Sequence, residues 1–173
     1  VFNVVHGDKE AVDGLLENPD VKSISFVGST PIAQYIYATG TANGKRVQAL
    51  GGAKNHMLVL PDADLELAAD QAINAGFGSA GERCMAISVV LAVEPIGDAL
   101  VAKIAERMPS LRTGDGRRDC DMGPLVTGVH RDKVRSYVDA GEAAWASRAV
   151  DGRILDVDGD EGGFWLLPSL FDH

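Results

Sequence analysis

The chain is predicted to fold as an α/β protein, because stretches with the pattern of strands alternate with stretches that have the periodicity of helices. Residues 21–27 alternate apolar and polar side chains before both faces become apolar, and residues 88–93 form an apolar run of strand length. Between such runs, apolar residues recur three or four positions apart, as in helices that pack one face against a core. Helix start signals, such as Ser29-Thr30-Pro31, lie where the pattern changes.

The first fifty residues are predicted to contain three strand-like segments and two helices. Residues 1–5 are expected to end a strand or to form an extended loop. Asp8 is a plausible N-cap for the first helix, and Pro19 follows its end. The apolar face of the second helix is predicted to include Ile32 and Ile36. The predicted elements are a helix over 8–18, a strand over 21–27, a helix that begins after Gly28 and ends at 40–44, and a strand over 45–50.

The rest of the chain continues the alternation. Pro61 to Asp64 is a helix entrance, and the helix that follows it is predicted to pack Leu65, Leu67 and Ala68 inward. Residues 156–163 are acidic and glycine-rich, but their spacing does not fit a calcium-binding EF-hand, so we expect a solvated turn. The other predicted elements are a strand over 55–60, a buried strand over 88–93, a last strand that starts at 164–168 and is cut short at His173, helices over 98–108 and 132–145, and a charged loop over 113–121.

Composition limits the kind of protein and its compartment. Apolar residues make up 46% of the chain and charged residues 24%, which is typical of a globular protein. The net charge of -9, without a Lys/Arg cluster, argues against a nucleic-acid surface. Neither a membrane-spanning run nor a signal-peptide pattern is evident. Cys84 and Cys120 lie in unlike contexts, so we expect a reducing compartment, the cytoplasm or the mitochondrial matrix, with Cys120 as a bystander.

The glycine-rich stretch over 76–88 holds the candidate catalytic residue, Cys84. Three glycines and two other small residues precede this cysteine, and small residues let a ligand and backbone N–H groups approach one point. We therefore interpret Cys84 as a nucleophile, although an inert buried cysteine is the commoner case. Arg83 would stabilise its thiolate, whereas Glu82 would oppose it if it lay close.

A second candidate site lies at Gly28 and Ser29. A glycine at the end of a strand, opening onto a helix N-terminus, is suited to bind an anion through free N–H groups. An ordinary helix cap is the alternative. Taken together with the Cys84 stretch, the pyrophosphate of a cofactor at Gly28 and Ser29 is the better hypothesis, even though the stretch lacks the GxGxxG fingerprint.

These two stretches together resemble the aldehyde dehydrogenase superfamily. The similar residues are Phe77-Gly78-Ser79-Ala80-Gly81-Glu82-Arg83-Cys84 and, upstream, Phe26-Val27-Gly28-Ser29-Thr30. Within the superfamily, residues 44–56 and Arg83-Cys84-Met85-Ala86 are most similar to the methylmalonate-semialdehyde dehydrogenase group. The resemblance covers essentially the whole chain, and because such enzymes are far longer, it implies a fragment. Residues 1–50 would be the C-terminal part of a Rossmann-like NAD-binding domain, and residues 51–173 the N-terminal part of the α/β catalytic, thiol-bearing domain.

The resemblance implies NAD-dependent oxidation of an aldehyde through a thioester on Cys84. It implies that Gly28, Ser29 and Gly51 bind the cofactor, that no metal takes part, and that Arg83 grips the carboxylate of methylmalonate or malonate semialdehyde. After loss of CO₂, the product would be propionyl or acetyl coenzyme A, as in valine catabolism. The backbone N–H of Cys84 would be one oxyanion donor. The intact enzyme would be a homodimer or homotetramer, and the fragment alone would be inactive.

One departure from the superfamily's pattern indicates which molecule accepts the acyl group. Hydrolytic members carry a glutamate that activates water, and here that position falls at Leu50 or at Ala49, depending on the alignment. Without a positioned carboxylate, the thiol of coenzyme A is a better acceptor than water. The alternatives are that Glu82 replaces the missing base in a hydrolytic enzyme for another acid semialdehyde, or that the chain belongs to a non-catalytic relative.

Overall fold

The chain is described by a computed structural model that covers residues 1–144, 146–153, 157 and 162–173. The predicted α/β fold is confirmed. The chain divides into two compact units, Val1–Ala53 and Lys54–His173. The elements of the described residues are α1 Lys9–Glu17, β1 Ser23–Val27, α2 Thr30–Ala42, β2 Arg46–Leu50, β3 Asn55–Val59, α3 Leu65–Phe77, β4 Ile87–Ala92, α4 Gly97–Arg107, α5 Gly128–Ala143, β5 Ser147–Val150 and β6 Leu170–Asp172.

The first unit is built on a parallel pair of strands joined by a helix. β1 pairs with β2 in register from Ser23 opposite Arg46 to Val27 opposite Leu50, and α2 connects the two strands. Because parallel strands need a crossover, the sequence between them forms the helix predicted there.

The face that α2 buries differs by one position from the prediction. Ile36 is buried as expected, but Ile32 is exposed, and Ala33 and Gly40 are buried instead. These three buried residues are spaced by three and four positions, as on one face of a helix. A Cβ on Gly40 would lie 2.7 Å from a methyl group of Val47, so only glycine lets α2 approach β2 this closely.

Lys45 is the only buried charged residue among the described part of the chain. Its Nζ donates hydrogen bonds to the carbonyl oxygens of Asn18 and Val21, at 2.6 and 2.8 Å. These bonds connect the turn after α1 to the start of β2. They give the buried ammonium group two hydrogen-bond acceptors without a carboxylate.

The second unit packs two helices on a second parallel pair of strands. β3 pairs with β4, and a register shift falls between Asn55 and His56. Asp64 caps α3, because its side chain accepts hydrogen bonds from the N–H groups of Glu66 and Leu67 at 3.0 and 3.2 Å. The buried core of this unit comprises Val59, Ala68, Ala69, Ala72, Ile73, Ile96, Leu100, Ile104 and Met108.

Only one face of the β3–β4 pair is covered by described residues. Met57 and Val90 pack against the core, whereas Leu58, Val89 and Leu91 are exposed. The expectation of a fully buried strand over 88–93 is therefore wrong for this chain, since alternate side chains of a strand point to opposite faces. The inward packing of Leu67 was likewise wrong, because its side chain is more than half exposed.

The ends of the chain differ most from the prediction. Residues 1–7 have no regular structure, in keeping with the extended loop rather than the strand. α5 begins at Gly128, four residues before the predicted start, because Thr127 caps it by accepting a hydrogen bond from the N–H of His130 at 3.1 Å. The last strand starts later than expected: residues 164–168 form no strand, and β6 covers Leu170–Asp172, antiparallel to β5. Trp145 and most of the acidic turn over 156–163 lie outside the described residues.

Candidate functional site

A strained turn connects α3 to the segment that carries Cys84. After the helix ends, Ser79 and Ala80 have φ angles of 55° and 54°, and Gly81 has a φ of 71°. A left-handed conformation costs a residue with a Cβ on the order of 1–2 kcal/mol, whereas glycine adopts it freely. Strain of this kind persists where the surrounding structure imposes it, commonly at functional sites.

Cys84 lies at the exposed corner of the next turn. The N–H of Ala86 donates a 3.0 Å hydrogen bond to the carbonyl oxygen of Arg83, which closes a turn with Cys84 and Met85 at its centre. The Cys84 residue is exposed, and among the described residues no acceptor takes its backbone N–H. A thiol that an electrophile can reach and a free N–H beside it are what the nucleophile hypothesis needs.

The side chain of Asn55 is hydrogen-bonded to the backbone of this turn. Its side-chain Nδ2 donates to the carbonyl oxygens of Cys84 and Ala86, at 2.8 and 3.0 Å. Asn55 is the first residue of β3, at the point where the pairing with β4 shifts register. The end of the parallel pair is thereby joined to the turn that presents the thiol.

Glu82 has a partner other than the thiol. Its Oε1 lies 3.3 Å from Nε2 of His130, in the first turn of α5. A carboxylate engaged in this way is less available as a general base, which bears on the alternative that Glu82 activates water.

The guanidinium of Arg83 lies over Gly78. A Cβ on Gly78 would be 2.8 Å from Nη1 of Arg83, so the glycine makes room for this side chain. Arg83 is exposed, and no ion pair between described residues includes it. Its planar fork of donors is thus available to a carboxylate from outside the chain.

In the first unit, the three predicted cofactor residues lie around the N-terminus of α2. Ser29 occupies the N-cap position without a side-chain cap bond, and Gly28 donates its N–H to the carbonyl oxygen of Leu50 at 3.1 Å. The N–H of Gly52 donates to the hydroxyl of Thr30 at 3.0 Å. A Cβ on Gly51 would be 2.8 Å from that hydroxyl, so glycine is required for this close approach.

The two candidate positions for the missing glutamate lie on opposite faces of β2. Val47 contacts the helix α2 at Gly40, and Ala49 shares its face, whereas Leu50 is on the other face and is half exposed. Neither side chain carries a titratable group. The strand therefore supplies no base from either position.

Cys120 is separate in the sequence from the Cys84 turn and from the N-terminus of α2, and it lies in the loop over 113–121. It is half-buried, with its Sγ 3.9 Å from the carbonyl oxygen of Arg118. In the same loop, hydrogen bonds from Arg117 lower the pKa of Asp115 to about 2. That arginine is thus neutralised locally, by a carboxylate two residues away.

The part of the chain that the structure describes holds neither a metal-ligand group nor a candidate membrane span. No three His, Cys, Asp or Glu side chains are grouped so that they could hold a metal ion. No helix there is both long enough and apolar enough to cross a bilayer.

Sequence reasoning missed Asn55 and His130. Both act on the Cys84 segment from a distance, since Asn55 is 29 residues from Cys84 along the chain. A polar residue at the start of a strand gives no sign of which backbone it will meet. Thr127 as an N-cap could have placed His130 in the first turn of a helix, but not beside Glu82.

Comparison with known proteins gives a single family. The sequence profile described as "Aldehyde dehydrogenase family" matches residues 1–173. A malonate-semialdehyde dehydrogenase of Pseudomonas aeruginosa is 59% identical over the whole chain, which covers 35% of that protein. Malonate-semialdehyde dehydrogenase 1 of Bacillus licheniformis is 51% identical with the same coverage.

Solved structures agree with this result. The methylmalonate-semialdehyde dehydrogenase of Oceanimonas doudoroffii superimposes with a TM-score of 0.92 at 53% identity, over 96% of this chain and 35% of that one. A candidate methylmalonate-semialdehyde dehydrogenase of Sinorhizobium meliloti, solved as a complex with NAD, gives a TM-score of 0.91 at 50% identity, over 95% of this chain and 34% of that one. The chain therefore spans about a third of the length of these relatives. It belongs to the aldehyde dehydrogenase family.

Proposed function

We propose that this chain is the thiol-bearing part of an NAD-dependent enzyme that oxidises malonate or methylmalonate semialdehyde and transfers the acyl group to coenzyme A. The observation that supports it most is the position of Cys84, exposed at the corner of a turn with a backbone N–H that no acceptor among the described residues takes. The names of the relatives support the substrate class, and the NAD complex of one of them supports the cofactor.

In this proposal the thiolate of Cys84 adds to the aldehyde carbon, and the carbonyl oxygen becomes an oxyanion. The backbone N–H of Cys84 is placed to donate to that oxyanion, since it has no acceptor among the described residues. Loss of a hydride from the former aldehyde carbon leaves a thioester on Cys84. NAD, when bound, supplies the hydride acceptor.

The first unit would hold the cofactor's pyrophosphate at the N-terminus of α2. Ser29 makes no side-chain cap bond at this end of the helix, and a Cβ on Gly51 would lie 2.8 Å from Oγ1 of Thr30. The first N–H groups of a helix have no intrahelical acceptors, so they can donate to phosphate oxygens.

Coenzyme A is proposed as the acyl acceptor because the chain has no base at the position where hydrolytic members carry a glutamate. Hydrolysis of the thioester needs a base to activate water, and neither Ala49 nor Leu50 can act as one. The carboxylate of Glu82 is engaged by His130. The thiol of coenzyme A can attack the thioester carbon without such a base, which releases acyl coenzyme A and restores the Cys84 thiolate.

Arg83 would select substrates that carry a carboxylate. Its guanidinium can donate two parallel hydrogen bonds to a carboxylate, and no described residue competes for it in an ion pair. A semialdehyde held in this way has its carboxylate and aldehyde at opposite ends. Its carboxylate carbon would leave as CO₂, giving acetyl coenzyme A from malonate semialdehyde or propionyl coenzyme A from the methylated one.

The first experiment compares the two cysteines of the complete enzyme that contains this chain. At about neutral pH, iodoacetamide should alkylate Cys84 faster than Cys120, and Cys84→Ala should abolish NADH formation while Cys120→Ala leaves it unchanged. Equal, slow alkylation of both cysteines would favour a non-catalytic relative, and NADH formation by Cys84→Ala would contradict the role proposed for Cys84. The isolated 173-residue chain should form no NADH, because it spans about a third of the relatives' length.

A further inference from the structure

We propose that Asn55 is a positioning residue, which fixes the Cys84 thiol by holding the backbone of its turn. The inference rests on the proposed function of Cys84, and it adds a residue that acts through the main chain. Asn55 donates from one amide nitrogen to two carbonyl oxygens, those of Cys84 at 2.8 Å and Ala86 at 3.0 Å. An amide NH₂ has two hydrogens, so one side chain can satisfy both acceptors.

The place of Asn55 in the fold explains why a side chain is needed there. β3 and β4 pair from Asn55 opposite Ile87 onward, and the register shifts at that first pair. Upstream of Ile87 the chain turns at Cys84 and Met85. The side-chain amide of Asn55 extends the hydrogen bonding between the two strands beyond their last backbone pair. It reaches the carbonyl oxygen of Cys84 in the turn.

The turn needs this support because little else holds it. Its own closure is one hydrogen bond, from Ala86 to Arg83. The segment before it includes Ser79 and Ala80, both in left-handed conformations that a flexible segment would abandon. Cys84 itself is exposed, so packing does not fix it. A nucleophile must be held within a fraction of an ångström of its productive position, and the two bonds of Asn55 supply that restraint.

The experiment uses Asn55→Asp and Asn55→Ala in the complete enzyme. Aspartate keeps the shape of the side chain but removes both N–H donors, and alanine removes them without adding charge. Asn43→Asp is the matched control, because Asn43 also donates its amide to a backbone carbonyl, that of Thr39 at 2.9 Å.

The main readout is the rate at which iodoacetamide alkylates Cys84 in the absence of substrates, with Cys120 in the same molecule as the reference. Both Asn55 variants should slow Cys84 by about tenfold, a change of the size that hydrogen bonds of ordinary strength produce, and should leave Cys120 unchanged. The same variants should lower kcat for NADH formation without changing the affinity for NAD. Asn43→Asp should alter none of these quantities.

Three results would overturn the inference. Unchanged or faster alkylation of Cys84 in Asn55→Ala would show that the donors do not position the thiol. Slowing in Asn55→Asp alone would assign the effect to the added charge. Equal changes at Cys84 and Cys120 would indicate general unfolding. Because these rates need no turnover, they stand apart from the test of the proposed function, which fails if Cys84→Ala remains active.

Discussion

The glycines and small residues before Cys84 differ in their structural roles. Gly78 makes room for the side chain of Arg83, and Gly81 takes a left-handed conformation at φ 71°. Ser79 and Ala80 take the same conformation without being glycine. The sequence pattern predicted a close approach at this stretch, but it could not show that two non-glycine residues would be strained.

The strain predicts an unusual effect of a glycine substitution. Ala80→Gly should raise the free energy of unfolding of the complete enzyme by about 1 kcal/mol, because glycine adopts a positive φ without steric cost. Urea denaturation would measure this change. It should also slow the alkylation of Cys84, since the relaxed turn is less rigid.

The matched control is Ala140→Gly, at an exposed position within α5. There glycine should lower the free energy of unfolding by about 0.5–1 kcal/mol, because it loses more conformational freedom in a helix. A destabilising Ala80→Gly would contradict the left-handed conformation at that residue.

At the scale of elements, helix starts were predicted better than the faces that the helices bury. Ser29-Thr30-Pro31 marked the start of α2, because proline fits the first turn of a helix. Pro61 to Asp64 marked the start of α3, because Asp64 caps it through local hydrogen bonds. The exposure of Ile32 and Leu67 depends on which face of each helix meets a sheet, and that is decided by tertiary packing. The last strand, expected from residue 164, starts only at Leu170 for a similar reason: the pairing of β6 with β5 is set by residues far apart in the sequence.

Two aspartates at helix N-caps should differ in their contribution to stability. Asp64 accepts two backbone hydrogen bonds at the start of α3, whereas Asp8 makes no side-chain cap bond at the start of α1. Asp64→Ala should therefore lower the free energy of unfolding by about 1 kcal/mol, and Asp8→Ala by only a few tenths. Hydrogen exchange of the first-turn amides in each helix would report the two effects separately. A larger loss of protection at α1 than at α3 would contradict this assignment.

At the scale of the whole molecule, one strand face of this chain is apolar and exposed. Leu58, Val89 and Leu91 are exposed on one face of the β3–β4 pair, and the relatives are about three times as long as this chain. The candidate site residues Cys84 and Arg83 could be named from the sequence, because they are adjacent and their context is local. Asn55 and His130 could not, because only the fold brings them to the turn.

The resemblance implies a domain boundary between residues 50 and 51. The structure divides the chain after Ala53. Assignment of the first unit to cofactor binding and of the second to thiol chemistry stays a proposal, supported by the glycines at α2 and by the turn at Cys84.

The most direct test of the account is whether the complete enzyme needs coenzyme A. NADH absorbance would be followed with the semialdehyde and NAD, first without and then with coenzyme A. Without it, we predict a burst of about one NADH per active site and then no further turnover, because the thioester on Cys84 has no activated water to release it. Steady NADH formation at an undiminished rate without coenzyme A would contradict the account.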